Sequence, residues 1–202
     1  MMFAGFALLG LALVALLFGS SLFGANVEPT ASSATFGQVP VLSADTETTL
    51  PVATGNGRLP QVGDNLAEFA SRDLDGATIR LSDYQGQPVM VNFWATWCPP
   101  CRMELPDFQT AYNTYQDDGL VILAVNQDEP ETLIRSFFYD DNGFTFTPVL
   151  DEGSRISRSY GIHSFPTTIF VNGEGVVTAV HQGLLFPAQL EDYLAQTIPS
   201  QG

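Results

Sequence analysis

The chain has 202 residues, with 22 acidic side chains against 7 basic ones, all of them arginine, so its formal net charge is −15. Nothing supplies the basic stripe that phosphate neutralisation requires, which excludes nucleic-acid binding as an activity. At this length one core of about 130 to 150 residues plus an appendage is expected, not two full domains.

Residues 1–23 are almost wholly apolar. They come close to the ~20 residues a helix needs to cross a hydrocarbon core, and are read as a transmembrane signal-anchor. No Arg or Lys precedes Arg58, and a cut after Ala25 would put Phe23 at −3, both unsuited to a removable signal peptide. A cut after Ser21, with Gly19 at −3, is the alternative. Without flanking charges the positive-inside rule sets no orientation. Residues 24–61 turn to Thr, Ser, Ala, Val, Pro and Gly without a sustained period, and read as a flexible linker. An extra strand over 37–42 is the competing reading.

The folded domain is expected over 62–202. Asp73-Leu74-Asp75-Gly76 is a turn signal and Ala77 to Leu81 alternates, which predicts an N-terminal β-hairpin. A short turn over Ser82-Asp83-Tyr84 leads to an apolar central strand ending at Trp94. A long helix is predicted from Pro99 to about Gln116, with Pro106 kinking it. Leu120 to Val125 reads as a second buried parallel strand. Pro130 is placed at a first helical position with Asp128 as cap, giving a helix over 131–141. A short strand over 146–150 and a short helix over 153–160 follow. Thr167 to Val171 is strongly β-branched, Asn172-Gly173 reads as a two-residue hairpin turn, and Val176 to Val180 as the return strand. Pro187 to Thr197 closes the chain as an amphipathic helix. Strands alternating with helices and ending in a hairpin imply an α/β fold with a mixed sheet covered on both faces.

Both cysteines lie in the stretch Asn92 to Pro106, N-F-W-A-T-W-C-P-P-C-R-M-E-L-P. Cys98 sits at the predicted helix N-terminus, where free N–H groups and the helix dipole stabilise a thiolate. Pro99 and Pro100 suit the first turn. The spacing lets Cys98 and Cys101 cycle between dithiol and disulfide. A structural bridge would close too tight a loop to constrain the unfolded chain much. Zinc would need two more ligands, and His163 and His181 lack the usual spacing. Cys98 is the candidate nucleophile and the more exposed sulfur, and Cys101 the resolving thiol.

W-A-T-W-C-P-P-C-R-x-E-x-P after an apolar strand resembles the TlpA/ResA-like branch of the thioredoxin superfamily, whose members are membrane-tethered thiol:disulfide oxidoreductases outside the cytoplasm. The likeness also takes in D-L-D-G-x-x-x-x-L-S-D-Y-x-G before the strand, Y-G-I-x-x-x-P-T-T-I-F-V after it, and N-G-E-G beyond. It implies a thioredoxin fold with a central insertion and a catalytic domain on the extracytoplasmic side of the cell membrane. Phe165-Pro166 matches the loop that carries a cis-proline in such folds. With Trp97 and Pro99 it is the expected substrate-binding surface. Thioredoxin has a buried Asp where this chain has Asn92, and the branch often has a Glu at the position of Glu104, which makes Glu104 the candidate acid/base for Cys101. An exposed helix charge is the competing reading. Trp94 and Trp97 are expected to shield the site and pack its floor.

The resemblance further implies disulfide-bearing client proteins, apocytochrome c among them, and a membrane thiol as electron donor. No cofactor and no metal are expected, and the chain is expected to work as a monomer. Two relatives of the same fold are the rivals. A peroxidase of the P-x-x-x-T-x-x-C type would need Pro and Thr where this chain has Val91 and Ala95. A copper-delivery module would need C-x-x-x-C, one residue longer than the spacing here.

Overall fold

The computed structural model describes residues 53–199. The apolar segment 1–23, the linker up to residue 52 and the alternative strand over 37–42 lie outside the described residues. Among the described residues no helix is long and apolar enough to cross a membrane.

Strand β3 (Val89–Trp94) is buried at all six positions and forms the middle of a five-stranded sheet. Its neighbours are β4 (Val121–Asn126), parallel to it, and β6 (Thr167–Val171), antiparallel. β5 (Thr147–Leu150) extends the sheet parallel to β4, and β7 (Val177–Gln182) extends it antiparallel to β6. A strand covered on both faces must be apolar throughout, which is why β3 and β4 read as continuous hydrophobic runs.

Successive side chains alternate between two cores. Met90 and Trp94 of β3, Ile122 and Ala124 of β4 and Phe170 of β6 point to one face. There they meet helix α1 (Pro99–Tyr115), α2 (Glu131–Arg135) with its continuation, and α4 (Pro187–Thr197). Val91 and Phe93, Leu123 and Val125, and Ile169 and Val171 point to the other. That face is covered by the hairpin of β1 (Ala70–Arg72) and β2 (Thr78–Arg80) and by α3 (Arg155–Ser159) with Tyr160.

The predicted elements are recovered with four differences. Pro130 is the cap residue of α2 and no side chain caps it. Asp128 cannot serve, because it sits at φ 49 and its Oδ1 accepts the Gly153 N–H at 2.7 Å. The helix predicted over 131–141 changes at Ser136 to π-type turns running to Asp141, among a packed cluster of Phe137, Phe138, Phe144 and Phe146. The β6–β7 turn is longer than two residues. Asn172 Oδ1 accepts the N–H groups of Glu174 and Val176, Gly175 takes φ 82, and β7 starts at Val177. Helix α1 itself is as expected, one element with Pro106 inside it.

The fourth difference concerns residues 53–61, expected as the end of the linker. They lie on the domain: the Thr54 N–H donates to Glu68 O at 2.9 Å and the Gly57 N–H to Ser159 O at 2.7 Å, while Ala53 and Leu59 pack on the second core. Two glycines permit this approach. A Cβ on Gly55 would lie 2.2 Å from Ser159 O, and one on Gly161 would lie 2.6 Å from Gly57 O.

Gly55→Ala should therefore lift this segment while leaving the sheet intact. Hydrogen exchange at the Thr54 and Gly57 amides is expected to speed up about tenfold or more, given an overpacking cost of about 1 to 3 kcal/mol. The Leu123 amide in β4 serves as control. Unchanged protection at Thr54 and Gly57 would show that the close approach does not hold the segment.

Candidate active site

The β3–α1 connection carries both sulfurs. Cys98 is the N-cap of α1, with extended backbone (φ −92, ψ 103), and Pro99 and Pro100 occupy the first helical positions, where a missing N–H costs nothing. Cys98 and Cys101 are joined as a disulfide, with Cα atoms 5.3 Å apart. Cys98 Sγ also accepts the Cys101 N–H at 3.3 Å. The helix thus offers this sulfur a backbone donor and the positive end of its dipole, the environment that favours a thiolate once the bond is reduced. Both residues are buried in this state, Cys98 at 3% exposure and Cys101 at 0%.

The loop before Cys98 is held from the neighbouring strand's end. The Glu129 carboxylate accepts the Thr96 N–H at 2.7 Å, the Thr96 hydroxyl at 2.5 Å and the Asn126 amide at 2.7 Å. Neither Thr96 nor Glu129 was singled out in the sequence, because the contact joins residues 33 apart.

The two tryptophans separate. Trp94 is fully buried in the same core as both cysteines and packs on Phe137 and Phe138, as expected of a floor. Trp97 is 63% exposed, so it does not pack the floor. Its ring meets Phe165 edge-on, with centroids 6.1 Å apart. Phe165-Pro166 is a cis peptide bond, and Thr167, the next residue, pairs with Phe93 of β3. Trp97, one residue before Cys98, is thus in contact with Phe165 of the cis pair, and Pro99 follows Cys98 in the helix. His163 is exposed, and His181 is engaged locally, its Nε2 3.2 Å from Leu184 O.

Glu104 is not a surface charge. It is fully buried, one helical turn beyond Cys101 on the same helix, a spacing that brings side chains to within ~5 to 6 Å at Cβ. Its Oε1 accepts the Asn92 Nδ2 donor at 2.9 Å, and its Oε2 accepts the Leu185 N–H at 3.0 Å. Burial raises its pKa to about 7, against the two hydrogen bonds, which lower it, and with a smaller push from Asp107. At that value the carboxyl both takes and returns a proton near neutral pH.

The chain matches the AhpC/TSA family over residues 62–180. The thiol-disulfide oxidoreductase ResA of Halalkalibacterium halodurans is 37% identical over 136 residues, 67% of this chain and 77% of that protein. ResA of Geobacillus thermodenitrificans is 36% identical over 138 residues, 68% of this chain and 79% of its own. Among solved structures, the thioredoxin domain of a thiol-disulfide oxidoreductase from Bacteroides vulgatus superposes with a TM-score of 0.61 at 27% identity, covering 69% of this chain and 99% of that one. StoA from Bacillus subtilis superposes with a TM-score of 0.55 at 29% identity, covering 67% and 99%.

The raised pKa of Glu104 has a stability consequence of definite sign. A carboxyl that titrates at about 7 when folded and at the ordinary 4.5 when unfolded holds its proton more tightly in the native state. Its contribution is complete below pH 4.5 and is lost as pH rises to about 7. The slope approaches ~1.4 kcal/mol per pH unit inside that window. Urea denaturation of the oxidised protein at several pH values should show this decline, and Glu104→Gln should remove it. Parallel pH profiles for the two proteins would mean that Glu104 titrates normally.

Proposed function

The chain belongs to the AhpC/TSA family and, within it, to the TlpA/ResA-like thiol-disulfide oxidoreductases, and from that premise we propose that it is a membrane-anchored, extracytoplasmic reductase of protein disulfides. The observation that carries this reading is the Cys98–Cys101 pair at the start of α1, with Cys98 Sγ receiving the Cys101 N–H.

The place of Cys98 at the helix start supports a two-step exchange. In the dithiol form the Cys98 thiolate attacks one sulfur of a client disulfide, forming a mixed disulfide and releasing the other client sulfur as a thiolate. Cys101 gives its proton to Glu104 and attacks Cys98 Sγ. The second client sulfur leaves, and the Cys98–Cys101 disulfide remains. Two electrons have passed to the client, and an external dithiol must return two to the enzyme. In that reading Trp97, Pro99, Phe165 and Pro166 receive the client peptide. The exposed Trp97 ring beside an otherwise buried disulfide supports this, since large aromatic surface next to a reactive bond suits transient protein contact. The peroxidase reading is weaker, because Ala95 stands where that motif has its threonine hydroxyl and Val91 where it has its proline.

Anchoring rests on the apolar run over residues 1–23, and the extracytoplasmic side on the redox motif and the family likeness. Reduction of haem-attachment cysteines in apocytochrome c is the pathway we assign, with a membrane thiol carrier as donor and the enzyme acting as a monomer.

Two measurements test the reading. Cys101→Ser, expressed in the native host and alkylated before purification, should accumulate mixed disulfides in the membrane fraction, whereas Cys98→Ser should trap few. Trapping by Cys98→Ser would invert the two roles, adducts in the soluble fraction would remove the anchor, and absence of apocytochromes among the released proteins would favour general disulfide reduction. Separately, the reduction potential of the Cys98–Cys101 couple should lie nearer ~−270 mV than ~−120 mV, and a value at the oxidising end would reassign the enzyme to disulfide formation.

A further inference from the structure

Asn92 is buried in the middle of β3, on the face that packs against α1, and its amide is used in an unusual way. Nδ2 donates both to Glu104 Oε1 at 2.9 Å and to Thr168 Oγ1 at 3.0 Å. Oδ1, equally buried, has no partner among the described residues. Turning the amide over would set its carbonyl against the ionised carboxylate, two acceptors face to face. The arrangement thus leaves one buried acceptor unsatisfied while it aims a donor at Glu104.

From this juxtaposition we propose that Asn92, braced by Thr168, is a positioning residue for the disulfide chemistry: its amide holds the Glu104 carboxylate as a hydrogen-bond acceptor beside Cys101. The Leu185 N–H holds the other oxygen at 3.0 Å, so two donors, one on β3 and one between β7 and α4, hold the two carboxylate oxygens. Burial alone favours the neutral acid, and these donors oppose it. No titratable side chain faces Glu104 from β3 or β6. Asp107 on α1 acts against ionisation, and His181 of β7 is turned to the Leu184 carbonyl and the Tyr193 hydroxyl. An amide at position 92 supplies a donor at every pH, which leaves Glu104 the single proton-exchanging group of this network.

The inference rests on the reading of Glu104 as acid/base, and the test separates the two. In full-length protein carrying 13C-labelled glutamate, the Glu104 carboxyl carbon is titrated by NMR, and the pH–rate profile for reduction of a model disulfide is recorded on the same samples. Asn92→Ala should raise the Glu104 midpoint by about one pH unit or more, the equivalent of one lost hydrogen bond to a charge. Thr168→Val, close in shape and safe for the fold, should raise it by less. The rate profile should move by the same amounts. An unchanged Glu104 midpoint in both variants overturns the role of Asn92. A midpoint that moves while the rate profile stays fixed supports Asn92 as the orienting group and overturns Glu104 as the acid/base.

Discussion

Strand β3 has no solvent face, and most of what distinguishes this domain follows from that constraint. All six of its residues are buried, between α1 on one side and the β1–β2 hairpin with Tyr160 on the other. A polar side chain in such a strand must find its partners inside the protein or cost several kcal/mol. Asn92 finds Glu104 on α1 and Thr168 on β6, so the one polar residue of the central strand ties together the helix that carries the sulfurs and the strand that follows the cis-proline.

The same constraint sets the chemistry of the carboxyl. A glutamate on the outward face of α1 would keep an ordinary pKa and could only adjust the helix dipole. Turned inward, it loses water and gains two specific donors, and the balance places its titration at about 7. Burial and hydrogen bonding act in opposite directions here, with burial the larger. The titration of Glu104 is therefore a property of the packed sheet as much as of the helix.

Around this core the surface of the site is divided between rigid and exposed parts. Thr96 is held by Glu129 from the end of β4, which fixes the loop that presents Cys98. Trp97, one residue later, turns outward and meets the Phe165 ring. Two loops from distant parts of the chain thus share one aromatic contact.

Much of this was legible in the sequence, because it depends on local chemistry. Continuous apolar runs announce buried strands, the turn signal at Asp73 to Gly76 announces the hairpin, and Pro99-Pro100 after Cys98 announces a helix start with a sulfur at its N-terminus. The family likeness placed the cis bond at Phe165-Pro166 and drew attention to Glu104. Other features depend on partners far along the chain. Asp128 looked like a helix cap, yet Gly153 captures its carboxylate. Residues 53–61 looked like linker, yet Gly55 and Gly161 let them lie against α3. Composition and spacing determined the fold class, the redox pair and the reaction type, since each follows from residues near one another. Only the tertiary structure decided that Glu104 is buried with Asn92 and Leu185 as its donors, because burial and hydrogen-bond geometry are set by groups 12 and 81 residues away.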